Sequence, residues 1–102
     1  MRVPNPGEKL QERVETQKKE PELYQVVLLN DDYTTMEFVV NVLESIFEKS
    51  PAEAFQIMMH VHRNGRGIAG VYPWEVAETK ADTVRSLATE AGFPLRATIE
   101  EA

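Results

Sequence analysis

The sequence predicts an α+β domain: a two-layer α/β sandwich in which a small, mainly antiparallel three-stranded sheet is packed with three helices. Three observations predict it. Apolar and β-branched runs at 23–29, 67–72 and 95–100 read as strands. Helix-start signals at Thr34, Ser50 and Pro73 are each followed by apolar residues at helical spacing. The resulting order, β-α-α-β-α-β, packs most simply with the helices on one face of the sheet.

Each element has its own justification. Leu23-Tyr24-Gln25-Val26-Val27-Leu28-Leu29 stops at the turn-forming Asn30-Asp31-Asp32 and reads as a central strand buried on both sides. In Thr34-Thr35-Met36-Glu37 a hydroxyl precedes a carboxylate by three residues, which is the capping-box spacing. Met36, Val39, Val40, Leu43, Ile46 and Phe47 then predict a helix of about 13 residues. Ser50-Pro51-Ala52-Glu53 repeats the start signal, with Ala54, Phe55, Ile57, Met58 and Val61 as the apolar face and Asn64-Gly65 as the stop. The Gly-punctuated run Gly67-Ile68-Ala69-Gly70-Val71-Tyr72 predicts a strand that another segment approaches closely. Pro73 opens a third helix with Val76, Ala77, Ala81, Val84, Leu87, Ala88 and Ala91 toward the sheet; Gly92 and Pro94 end it, and Leu95 to Glu100 is the last strand.

Composition bounds the function. The chain has 102 residues, 42% of them hydrophobic and 27% charged, the balance of one globular domain. It holds no cysteine, which excludes disulfides, thiol nucleophiles and thiolate zinc sites. Its longest apolar run is Val26 to Leu29, so neither membrane insertion nor Sec-type export is predicted, and the cytoplasm is the expected compartment. With 17 acidic against 11 basic side chains, general nucleic-acid binding is not expected. Residues 1–22 carry Arg2, Lys9, Arg13, Lys18 and Lys19 against Glu8, Glu12, Glu15, Glu20 and Glu22, and so are neutral. Beyond Met1 their only apolar groups are Val3, Leu10 and Val14, which predicts a disordered extension and assigns the net charge of -6 to a domain at 23–102.

The residues offer few chemistries. Asn30-Asp31-Asp32 is either a turn closed by Asx hydrogen bonds or a loop of acceptors suited to an ammonium group or a hard cation. His60 and His62 stand two apart, about 200° around a helix, so they do not share a metal ion through one face. No serine-hydrolase or phosphate-cradling motif occurs. Met36, Val39, Met58, Met59 and Val61 are either ordinary core or an apolar hole adaptable to a guest; beside the acidic loop, such a hole fits an amine that carries a hydrophobic side chain. Tyr72 and Trp74 read as core or rim aromatics, and Glu75, Glu78 and Lys80 as a solvated helix face.

Over 23–102, about four-fifths of its length, the chain resembles the ClpS family, the bacterial adaptors of the N-end rule. The resemblance is carried by Leu29-Asn30-Asp31-Asp32-Tyr33-Thr34 with Met36-Glu37-Phe38-Val39, by Met58 with Val61-His62, and by Gly70-Val71-Tyr72 with Glu75-Val76-Ala77-Glu78-Thr79-Lys80. It implies a protein that is not an enzyme and uses no metal or cofactor. Such an adaptor holds the free hydrophobic N-terminus of N-degron proteins and delivers them to the ClpA unfoldase of the ClpAP protease. It further implies that Asn30, Asp31, Asp32 and His62 surround the α-amino group, and leaves open which aspartate makes the contact. Thr34, Met36, Val39, Met58 and Val61 would line a pocket for Leu, Phe, Tyr or Trp, with Met36 disfavouring β-branched residues. Glu75 and Lys80 would dock on the N-terminal domain of ClpA, the extension would serve delivery, and the free protein would be a monomer. The implied fold is similar to the C-terminal domain of the ribosomal stalk protein.

Thr35 departs from the proline common in the family, Ala69 from a frequent cysteine, and His60 and Arg63 are expected at the pocket rim. Methionine at position 36 is similar to the main type of the family rather than to a second type with altered pocket residues. Two other readings compete: a small metal-dependent hydrolase built on Asp31, Asp32 and His62, and a stalk-type scaffold for translation factors, the latter by fold analogy alone.

Overall fold

The computed structural model describes residues 20–102. The expected disorder of the N-terminal extension therefore falls, for residues 1–19, outside the described residues. The elements follow in the predicted order: β1 (Leu23–Leu29), α1 (Met36–Ser45), α2 (Pro51–Asn64), β2 (Arg66–Pro73), α3 (Trp74–Ala91) and β3 (Arg96–Glu101). β1 is central, antiparallel to β2 on one side and to β3 on the other.

Alternation along β1 sends Val26 and Leu28 into the core with Val42, Leu43, Phe47, Ala77 and Val84. Val27 points the other way yet is fully buried. It pairs with Ile68 and Thr98, and an ion pair between Arg66 of β2 and Glu100 of β3 runs diagonally across β1 at its level. The two-sided burial expected of the strand is thus met by the layer of helices on one face and by side chains of the sheet itself on the other. In β2 the register slips between Val26 and Val27, leaving Ala69 as the extra residue of a bulge. Ala69 and Gly70 are consequently both buried, while Ile68 and Val71 remain exposed.

Gly67 brings β2 and α2 together as the glycine pattern predicted: a Cβ there would lie 2.7 Å from Val61 Cγ2 and 3.3 Å from His60 Cδ2. At the start of α2 the capping box forms in full, with Ser50 and Glu53 exchanging bonds of 3.2 Å. The start of α1 differs from expectation. Thr35, not Thr34, is the N-cap, accepting from the Phe38 N–H at 3.1 Å, because the Thr34 hydroxyl is taken by Asp31. The helix is also shorter, 10 residues, since Glu48 adopts φ 54° and turns the chain toward Ser50. Four residues expected on inner faces lie outward: Phe55 is 56% exposed, Val76 41% and Leu87 37%, and Ala91 at the end of α3 is exposed as well. The small residues Ala54, Ala77, Ala81 and Ala88 take the buried positions instead and let the helices lie close to the sheet.

Candidate functional site

The site begins where β1 ends. Asn30 is the first residue beyond the strand, and its N–H donates to the Gly65 carbonyl at 2.9 Å. This bond fastens the loop after β1 to the C-terminal end of α2. Gly65 closes that helix at φ 85°, a backbone state in which a side chain would be strained, and its own N–H caps the Val61 carbonyl at 2.9 Å.

Asp31 then shapes the loop from within. One carboxylate oxygen accepts from the N–H groups of Tyr33 (2.8 Å) and Thr34 (2.7 Å), and the other accepts from the Thr34 hydroxyl (2.7 Å). Burial pushes the Asp31 pKa up, but the Thr34 hydroxyl and the two amides outweigh it and hold the carboxyl below its ordinary value. Asp31 therefore spends its acceptors on the turn. Thr35 starts α1 immediately afterwards, which sets Met36 and, one turn on, Val39 beside the loop.

Loop, α1 and α2 enclose a cavity of about 210 Å³. All nine residues that the resemblance implies for the amine and side-chain sites line it: Asn30, Asp31, Asp32 and His62 at the polar end, Thr34, Met36, Val39, Met58 and Val61 on the apolar wall. Val39, Met58 and Val61 are buried and form the floor; Met36 is 45% exposed and stands at the mouth. Among the described residues, the side chains of Asn30, Asp32 and His62 make no hydrogen bond to the rest of the chain, so their acceptors face the cavity unspent. Small-molecule sites usually occupy roughly 300–1,000 Å³. This one is smaller, suited to a single side chain with one polar group at its end.

One expectation is not met at this cavity. His60 and Arg63 border a separate depression with Met59 and Asn64, where the Asn64 amide lies 3.1 Å from His60 Nδ1. Glu75 and Lys80 lie on α3 away from it; Glu75 is exposed, whereas the Lys80 ammonium donates to the Ile46 carbonyl at 2.6 Å. That ammonium also stands 5.1 Å from the Tyr72 ring centroid and supplies the cation that the last turn of α1 lacks. Among the described residues, no three His, Asp or Glu side chains converge in a way that could hold a metal ion. Sequence reasoning missed the part played by Gly65, which read only as a helix stop.

The family model for the ATP-dependent Clp protease adaptor protein ClpS matches residues 19–98. The chain belongs to the ClpS family. Family members are adaptors of the Clp protease and not enzymes. The chain is 55% identical over 92 residues to the ATP-dependent Clp protease adapter protein ClpS of Lawsonia intracellularis, spanning 90% of this chain and 81% of that one. It is 59% identical over 83 residues to the ClpS of Maricaulis maris, spanning 81% and 76% of the two chains. Among solved structures, that of Agrobacterium tumefaciens ClpS2 bound to L-phenylalaninamide superposes with a TM-score of 0.78 at 46% identity, covering 81% of this chain and all of that one. The relative thus holds a small molecule with a free amine and an aromatic side chain.

Proposed function

We propose that this ClpS chain recognises proteins by a free N-terminal Leu, Phe, Tyr or Trp and delivers them to the ClpA unfoldase of ClpAP. The observation that carries the reading is one cavity with unspent acceptors at one end and a buried apolar floor at the other. Phenylalaninamide in the Agrobacterium relative has the same two-part chemistry. A protonated α-amine offers three donors to Asn30, Asp32 and His62, while Asp31 keeps the loop in shape. Asp32 is accordingly the aspartate that contacts the amine. An acetylated N-terminus has neither the charge nor the donors and leaves those acceptors desolvated and unpaired. Met36 at the mouth crowds a branched Cβ and disfavours Ile and Val.

Delivery uses residues outside the cavity. Glu75, exposed beside the half-exposed Trp74, docks on the N-terminal domain of ClpA, with Lys80 holding the turn beneath it. Residues 1–22 act as the delivery extension and 23–102 as the core, a monomer when free, working in the cytoplasm. Among the described residues no helix is long and apolar enough to cross a membrane.

Fluorescence anisotropy tests the reading with three peptides that differ only at the N-terminus: free Phe, acetylated Phe and free Ile. The expected result is binding of the first alone, with Ile gained in the Met36→Ala variant. Equal binding of all three overturns the proposal.

A further inference from the structure

The chain holds no cysteine, so its oxidisable sulfur is the thioether of methionine, present at Met1, Met36, Met58 and Met59. Two of these stand in the wall of the cavity and differ sharply in access: Met58 is 4% exposed on the floor, Met36 45% at the mouth. Met59, the next residue on α2, is half-buried against the core and borders a different depression. Met36 and Met58 also line a groove between α1 and α2, together with Glu37, Asn41 and Glu44. The Met36 side chain is therefore reached from solvent while still forming part of the apolar wall.

We propose that Met36 is a modification site, whose oxidation by hydrogen peroxide to the sulfoxide weakens recognition of hydrophobic N-termini and leaves the fold intact. The inference rests on the cavity being the receptor for such an N-terminus. In the reaction a sulfur lone pair attacks one peroxide oxygen and the O–O bond breaks as the S–O bond forms. The departing hydroxide takes up the proton of the transferred oxygen and leaves as water, so sulfur is oxidised and peroxide reduced by one electron pair. The new oxygen is a strong acceptor, poorly placed once a ligand is bound. Turned inward, it meets the apolar side chain of a bound Leu or Phe, and the hydroxyl on that wall, of Thr34, is already donated to Asp31 at 2.7 Å. Turned outward, it enters the groove, where Glu37 and Glu44 are further acceptors and Asn41 offers a donor, but the wall then loses the thioether that packs against the guest. Without a ligand the same oxygen faces water, since the residue is half exposed. Oxidation of Met36 therefore acts on the bound state rather than the free one, whereas oxygen on Met58 would disrupt the core and is kept away by burial.

The test treats the full chain with hydrogen peroxide and follows each methionine by peptide mass spectrometry, beside anisotropy with a Phe-initiated peptide and thermal melts. Met36 should oxidise ahead of Met58 and Met59. Affinity should fall in step with Met36 sulfoxide by roughly 5- to 150-fold, equivalent to about 1–3 kcal/mol for a polar group buried without a partner. The melting midpoint should not move. Methionine sulfoxide reductases for both sulfoxide epimers, with a dithiol as reductant, should restore binding. Every variant is compared with its own untreated sample: Met59→Leu should lose affinity on treatment as the wild type does, and Met36→Leu should lose none. Oxidation of Met58 or Met59 before Met36, Met36 sulfoxide with affinity unchanged, or an equal loss in Met36→Leu overturns the proposal. A fall in melting midpoint alongside the affinity loss overturns it as well, because the effect is then unfolding. Failure of the untreated wild type to bind the peptide instead overturns the reading of the cavity.

Discussion

Two adjacent carboxylates of the same loop are expected to fail in different ways when removed. Asp31 accepts three hydrogen bonds from its own turn, and Asp32 accepts none among the described residues. Replacing Asp32 by Ala removes one charge-assisted bond to the ligand amine, worth about 1.5–3 kcal/mol, or roughly 10- to 150-fold in Kd. The fold should not notice, because the side chain is exposed. Replacing Asp31 by Ala strands three donors in a partly exposed loop where water replaces some of the loss, a cost of about 1–2 kcal/mol. For a domain of this size that lowers Tm by roughly 4–16 °C, and peptide binding weakens with it as the loop loses its shape. The pH dependence has a defined sign. The Asp31 pKa is lowered in the fold, so its stabilisation is complete above the ordinary Asp value, about 3.9, and is lost as pH falls through the lower folded value. Acid titration of the wild type should therefore show a loss of stability below about pH 4 that Asp31→Ala lacks. Thermal melts and anisotropy with a Phe-initiated peptide, run on both variants, decide the matter. Equal Tm losses, or Asp32→Ala binding like wild type, would refute the division of labour.

Two further outcomes follow from single contacts. Gly67→Ala places a Cβ 2.7 Å from Val61 Cγ2; the overpacking should cost about 1–3 kcal/mol and displace the end of α2 that carries His62, so denaturant melts and peptide affinity should fall together. Lys80→Ala removes the donor to the Ile46 carbonyl and should cost about 1 kcal/mol in a denaturant melt, while affinity for a free Phe-initiated peptide stays unchanged; a loss of that affinity would place Lys80 in a different role.

Much of this was legible because the signals were local. Ser50 and Glu53 form the capping box that their spacing announces, and Gly65 and Gly92 end helices where the pattern stops. The start of α1 was ambiguous because Thr34 and Thr35 are both competent caps, and only the carboxylate of Asp31, reaching back within the loop, assigns them. Phe55 read as core because periodicity identifies a face but not what covers it, and α1 leaves that part of α2 open. Within the site, the acidic loop and the methionines were both visible as patterns in the sequence. Adjacency in the chain already set Met36 and Val39 beside that loop, and the resemblance assigned the roles; the bond from Asn30 to Gly65 is the physical link to α2, a contact across 35 positions that no window of sequence contains.

The bulge at Ala69 bears on a hazard peculiar to such a protein. β2 and β3 are both edges of the sheet, and an adaptor for a protease spends its working life beside polypeptides with unpaired backbone. The extra residue spoils the hydrogen-bonding rhythm of β2 midway, and Pro73 withholds a donor at its end. On the other side, β3 is a short strand bearing Arg96, Glu100 and Glu101. Neither border offers a long, flat template. The sheet is finished at three strands, so a passing chain is not knitted into the adaptor as a fourth.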